Sequence, residues 1–212
     1  MKMKLLTAIT VAGLLCISAQ AIIVEHDYTS SIGYMTWFNL PSDGGAYQFE
    51  GPWGVADLNS SFDGTKTTLS PNTIGDPDPY WYIGGGGPGA QGNKIGQAAL
   101  YEEDTGTLNG SVVTFEGFVL SDTLTLANNP GNVDAGGNGW TASLFIRDFA
   151  PDYSSSVDLF VPVTPGAFSL SLPTIADPAR HVQWGFQVVG PNVWAGDDGP
   201  YGTIEVIPEP AT

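Results

Sequence analysis

His26 and His181 are the only histidines in the chain, and that limits nucleophilic chemistry at once. A Ser-His-Asp triad needs an imidazole held between a hydroxyl and a carboxylate. His26 stands near the N-terminus, where chains fray. His181 opens an alternating run, on the face opposite Trp184. No Gly-x-Ser-x-Gly elbow occurs. Glycoside hydrolysis needs instead two carboxylates roughly 5 to 10 Å apart in one cleft. Glu50, Glu102, Glu103, Glu116 and Glu205 fall on expected strands or strand ends, and Glu116 and Glu205 alternate away from apolar neighbours. Ordinary solvated strand positions have the same pattern, so no residue is assigned as catalytic.

Calcium chemistry would use a different set of acids. Asp76 with Asp78, Asp148 with Asp152, and Asp197 with Asp198 cluster in expected loops. Calcium takes several oxygen ligands from carboxylates and carbonyls, so these six are the candidate metal ligands and structural Ca2+ the candidate cofactor. No EF-hand spacing is present, and aspartate is also a common turn former.

Sugar recognition would draw on rings and amides. Six tryptophans occur, and the C–H faces of sugars can lie on such rings while polar side chains bond the hydroxyls. Trp81 and Tyr82 adjoin the run from Gly84 to Gly89, and Trp194 and Tyr201 flank a second Gly/Asp loop. The glycine run lacks the Lys-Ser/Thr ending of a phosphate loop. Gln183 and Gln187 alternate opposite Trp184, and Arg147 alternates opposite Leu144 and Ile146. Trp81, Tyr82, Trp194, Tyr201, Arg147, Gln183 and Gln187 are therefore the candidate ligand-binding residues. For Arg147, an ion pair with Asp148 or Asp152 is the competing role.

The elements that must position these groups are strands. Beyond residue 21 no segment sustains a 3.6-residue apolar period, whereas period-two runs recur. Ile32, Tyr34, Thr36, Phe38 and Leu40 share one side of a run. So do Val113, Phe115, Gly117 and Val119, and so do Val182, Trp184, Phe186 and Val188. Further strands are predicted over 53–58, 67–70, 80–83, 94–101, 141–148, 158–163, 168–172 and 204–206. Asp43-Gly44-Gly45, Asp63-Gly64, Asn109-Gly110 and Pro165-Gly166 are turn signals between them. The pattern predicts an all-β fold, an antiparallel β-sandwich of the jelly-roll type, forming one domain over 22–207. Leu144, Ile146, Phe168, Leu170, Trp184, Phe186 and Ile204 are its expected core, and 128–139 its flexible excursion.

Composition sets the address and excludes partners. Acids number 22 against six cations, for a net charge of −16, which opposes binding to nucleic acid or an anionic lipid surface. Lys2 and Lys4, an apolar run over 5–17 and Ala19-Gln20-Ala21 predict a secretory signal over 1–21. The apolar run is too short to be a stable membrane span. Cleavage would remove both lysines and the single cysteine, leaving a net charge of −18 and no disulfide.

The chain ends Val206-Ile207-Pro208-Glu209-Pro210-Ala211-Thr212. Pro208-Glu209-Pro210 after an aliphatic residue resembles the start of a PEP-CTERM sorting signal, placed at 208–212. That resemblance implies export in a Gram-negative bacterium that makes extracellular polysaccharide, with an exosortase as processing enzyme. In that family a hydrophobic helix and a basic cluster follow the tripeptide, and here the sequence stops at Thr212. Phe115 to Val119 (Phe-x-Gly-x-Val) and Val182 to Phe186 (Val-x-Trp-Gly-Phe) are similar to segments of secreted bacterial jelly-roll modules that bind carbohydrate. The expected function is that of an exported, noncatalytic cell-surface or extracellular-matrix protein binding polysaccharide. A structural or adhesive protein with protein partners is the second expectation, and a small jelly-roll glycosidase the third.

Overall fold

A computed structural model describes residues 21–124 and 139–208. The signal segment, apart from Ala21, lies outside the described residues. So do the excursion, apart from its last residue, and the last four residues of the chain.

Fourteen strands occur among the described residues: β1 (Ala21–Val24), β2 (Ile32–Asn39), β3 (Tyr47–Trp53), β4 (Ser60–Phe62), β5 (Thr67–Leu69), β6 (Thr73–Ile74), β7 (Lys94–Thr105), β8 (Val112–Asp122), β9 (Thr141–Phe149), β10 (Ser156–Pro162), β11 (Gly166–Pro173), β12 (His181–Pro191), β13 (Val193–Trp194) and β14 (Ile204–Ile207). Helix among these residues is confined to four short 3-10 turns. No described helix is long and apolar enough to cross a membrane.

One sheet has six antiparallel strands in the order β10-β9-β12-β7-β2-β3. In the other, β11 lies on one side of β8, and β14, β5 and β4 follow on the other. Eight of these strands form a jelly roll: β5-β14-β8-β11 in one layer and β7-β12-β9-β10 in the other. Within this set only β9 and β10 are sequential neighbours in one sheet, so the chain crosses between layers at nearly every step. β1 departs from the antiparallel rule. It runs parallel to Val112–Phe115 of β8, on the part of that edge that β14 leaves open.

The core lies between the layers. Leu100, Val113, Phe115, Leu144, Ile146, Val182, Phe186 and Ile204 are each no more than 2% exposed. Leu170 is also buried, while Phe168 and Trp184 are half-buried against the same cluster. Phe186 meets Phe115 edge-on at 5.6 Å, and truncating such a ring to alanine costs about 3–5 kcal/mol.

The structure departs from the sequence reading at two elements and settles a face at a third. The set Ile32, Tyr34, Thr36 and Phe38 does share one side of β2, and it is the solvent side, with Met35 and Trp37 on the core side. The predicted strand at 53–58 is displaced: β3 ends at Trp53 and a 3-10 turn covers Val55–Leu58. Residues 80–83 form a loop carrying one isolated bridge, Tyr82 to Gly92.

His26 is not frayed. It is 6% exposed, with Nδ1 2.7 Å from Glu102 Oε1 and Nε2 3.0 Å from Thr67 Oγ1. Glu102 also accepts from the Asp27 N–H and the Ser31 hydroxyl. A buried polar pair thus ties the N-terminal arm to β7 and β5.

Candidate functional site

The outward face of the six-stranded sheet carries a cleft of about 690 Å³, within the usual range for ligand sites. Strand register fixes its layout. Glu50 of β3, Thr36 of β2 and Gln97 of β7 form one row. The next row along the strands is Tyr34, Ala99, Gln187 and Ser143. Tyr101, Gly185, Phe145 and Phe160 follow, and then Glu103, Gln183, Arg147 and Asp158. Period-two alternation puts all of these on the face opposite the core residues of the same strands.

The floor is low at Gly185 for a steric reason. A Cβ there would come within 2.2 Å of the Leu100 carbonyl and 2.9 Å of Tyr101 Cβ. Glycine lets the Tyr101 side chain lie across the neighbouring strand.

Side-chain bonds hold one end of the cleft rigid. Gln183 Nε2 donates to Glu103 Oε2 at 2.6 Å, and the Tyr153 hydroxyl donates to Glu103 Oε1 at 2.9 Å. Tyr153 stacks on His181 at 4.3 Å. It sits in the β9–β10 turn with φ +57°, a left-handed conformation that is strained for a bulky residue. Such strain concentrates where a side chain must be aimed, and here it aims the ring over the cleft wall. Arg147 donates from Nε and Nη2 to the two oxygens of Asp158, both at 3.2 Å, with its guanidinium 4.4 Å from the Phe149 ring centre.

The other end is open to a ligand. Gln97 and Gln187 are half-buried, and neither side-chain amide has a hydrogen-bond partner among the described residues. Burial, then Glu50, raises the Tyr34 hydroxyl pKa. Burial, reinforced by Glu103, pushes Tyr101 up to about 12. Tyr153 is also raised to about 12, by burial first and then by its bond to Glu103. These phenols therefore stay neutral at ordinary pH and can donate. The cleft combines neutral hydroxyls, amides, two carboxylates and ring faces.

Of the sequence candidates, Arg147, Gln183 and Gln187 come together here. The four aromatic candidates lie elsewhere. Tyr82 is fully buried, its hydroxyl donating to the Ile74 and Val193 carbonyls. Tyr201 is 2% exposed and packs on Trp140. Trp81 packs edge-on against Trp37 at 4.8 Å. Trp194 lies under the glycine run: a Cβ at Gly86 would fall 2.6 Å from its ring and 2.9 Å from that of Tyr82. The run packs against these rings, with Tyr82 fully buried and Trp194 half-buried.

The acid candidates are held by local bonds. Asp148 is fully buried and accepts from Arg180 Nε and the Ile175 N–H, both at 2.8 Å, so it is an ion-pair partner and not a metal ligand. Its predicted companion Asp152 caps Ser154. Asp76 accepts from the Asp78 N–H, and Asp78 from that of Tyr80. Asp197 accepts from the Gly89 N–H and Asp198 from the Asn59 amide. Among the described residues no group of three or more His, Cys, Asp or Glu is placed to hold a metal ion. Glu116 and Glu205 lie on the other sheet, bonded to Ser169 and to Lys66 respectively. Glu205 pairs with Ser121, five residues along β8 from Glu116, which separates the two by about 17 Å.

Tyr34, Gln97, Tyr101, Glu103, Phe149 and Tyr153 also line the cleft. For Gln97, Tyr101 and Glu103, the alternation with Ala99 along one face of β7 was the available signal; Tyr34, Phe149 and Tyr153 come from other elements and carried none.

Fold and site together define a jelly-roll β-sandwich with an open polar and aromatic cleft on its β10-β9-β12-β7-β2-β3 sheet. The chain matches no protein-family model, no curated protein and no solved structure.

Proposed function

We propose that this is an exported, noncatalytic protein of the cell surface or extracellular matrix that binds polysaccharide in the cleft of its six-stranded sheet. The observation that carries the reading is the pair of unpartnered amides, Gln97 and Gln187, flanking Tyr34 on an open aromatic floor. Sugar hydroxyls both donate and accept, and amides and phenols answer both needs. Ring faces supply apolar contact.

Carboxylate spacing supports a noncatalytic role. Glu103 lies six residues along β7 from Gln97, which shares a row with Glu50. The two acids are therefore about 20 Å apart along the strands. Glu103 and Asp158 are separated by three strand spacings, about 14 Å. Both backbone separations are longer than the roughly 5 to 10 Å between carboxyl groups in glycosidases, and Gln183 and Arg147 stand between Glu103 and Asp158 and bond to them. The address rests on the signal-like N-terminus and on Pro208, which is exposed beyond β14, where a processing enzyme would have access.

A glycan array tests the reading, with wild type beside a Gln97→Ala/Gln187→Ala variant. Binding that falls about tenfold in the variant, roughly one lost hydrogen bond per amide, supports it. Binding unchanged by the variant removes the cleft from the function. The adhesive alternative draws on edge strand β10, where Val157, Phe160 and Val161 are 37–42% exposed and the backbone edge is free to pair. Concentration-dependent self-association without glycan binding would favour it.

A further inference from the structure

We infer that the cleft selects uncharged glycan chains over acidic ones, and that Asp158 is the residue that sets this preference. The inference rests on the sugar-binding reading above. Among the described residues, Arg147 is the only cation that lines the cleft. It is also the only group there that offers a uronate or sulfate a charge-assisted bond. Asp158, opposite it on β10, takes two of its N–H groups in a side-on pair. The guanidinium face is meanwhile spent on Phe149 and, at 5.7 Å, on Phe160.

The pair is accessible and not entombed: the Arg147 and Asp158 side chains are 30% and 33% exposed. A ligand therefore meets a neutralised cation, with the Glu103 carboxylate across the same row and that of Glu50 further along the cleft. An anionic sugar would have to surrender hydration to enter and would find net negative charge there. A neutral sugar finds acceptors in those same carboxylates, and donors in Tyr34, Gln97 and Gln187.

Replacing Asp158 by asparagine keeps the side-chain shape and removes the countercharge. Arg147 would then face the cleft as a free cation, and acidic chains should gain. The gain should shrink as salt is raised, because an exposed charge contact is screened.

Affinity electrophoresis reads this directly, with galactomannan, xyloglucan and mixed-linkage β-glucan as neutral probes. Polygalacturonate, alginate and hyaluronan serve as acidic ones. Wild type should be retarded by at least one neutral polymer and by none of the acidic ones. Asp158→Asn should bind an acidic polymer at least tenfold more tightly than wild type does. The gain should vanish in Arg147→Gln/Asp158→Asn. Asp158→Ser serves if the asparagine variant does not fold. Wild-type binding to an acidic polymer as tight as to any neutral one overturns the inference and leaves the sugar-binding reading standing. So does an Asp158 variant whose preference moves less than twofold. Binding to no polymer of either kind refutes the sugar-binding reading, and the inference falls with it.

Discussion

Arg180 offers the sharpest test of how this fold is held together. Its Nε donates to Asp148 Oδ1 at 2.8 Å and its Nη2 to the Asp148 carbonyl at 2.7 Å. The Asp148 side chain is 0% exposed and that of Arg180 10%. With the Ile175 N–H on Asp148 Oδ2, the pair fastens the β11–β12 loop to the inner face of β9. Replacing Arg180 by methionine keeps much of the apolar stem but strands a carboxylate that has no access to water. Removing one partner of a buried pair costs about 3–5 kcal/mol, a large share of the roughly 5–15 kcal/mol that holds a domain folded. With a urea m-value near 2 kcal/mol/M, the unfolding midpoint should fall by about 2 M. Arg180→Met/Asp148→Asn should recover at least half of that loss, because the uncompensated charge has gone while an amide oxygen still accepts from Ile175. A single-variant loss under about 1 kcal/mol, or a double variant no better than the single one, would refute the argument that the cost is an orphaned charge.

Two further outcomes follow from buried polar groups. Burial raises Tyr82 and Tyr101 to about 12, above the value near 10 of an unfolded chain. The folded state then keeps protons that the unfolded state loses, so stability is intact below pH 10 and declines as pH rises towards 12. The decline is about 2–3 kcal/mol for each of these two buried phenols. Urea midpoints at pH 9 and pH 11 check it, and equal midpoints would contradict it. His26→Ala should cost about 1–3 kcal/mol, because it takes one bonded partner from the buried Glu102 and leaves it the Asp27 N–H and the Ser31 hydroxyl. It should also speed protease cleavage near residue 26. A loss under 0.5 kcal/mol would mean that the N-terminal arm frays after all.

Alternation made the fold legible where strands bury one whole face. β8, β9 and β12 could be read from Val113–Val119, Leu144–Ile146 and Val182–Val188 because every second side chain is apolar. β2 left its inner face open because both of its faces carry aromatic residues: Tyr34 and Phe38 line the solvent side while Trp37 fills the core. Only the presence of the second sheet decides which face is inner. β3 escaped because Gly51 and Pro52 punctuate it and a bulge interrupts its pairing. Proline is tolerated there because β3 is an edge strand. Of the site, Arg147, Gln183 and Gln187 were legible as polar residues out of phase with core neighbours. Register was not legible: nothing local says that Glu103, Gln183, Arg147 and Asp158 form one row drawn from four strands. That the aromatic candidates lie away from the cleft was illegible for a related reason, since a glycine run can bare a ring or close over it.

Charge accounting ties these observations to ligand chemistry. Four cations remain beyond residue 21, and each is committed within the fold. Lys66 is held by Glu205, Arg147 by Asp158 and Arg180 by Asp148. Lys94 lies 4.3 Å from the Tyr80 ring centre and donates to the Asn93 carbonyl. No cation among the described residues is left to attract an anion, while unpaired carboxylates spread over the surface. On the sugar-binding proposal, a cleft so poor in positive charge would bind through hydroxyls, amides, carboxylates and rings. Such groups discriminate among neutral polyols by position and stacking. The same charge balance opposes self-association through mutual repulsion, so the cleft reading and the β10 adhesion reading predict opposite responses to added salt: screening should promote self-association through β10 and leave neutral-sugar binding unchanged.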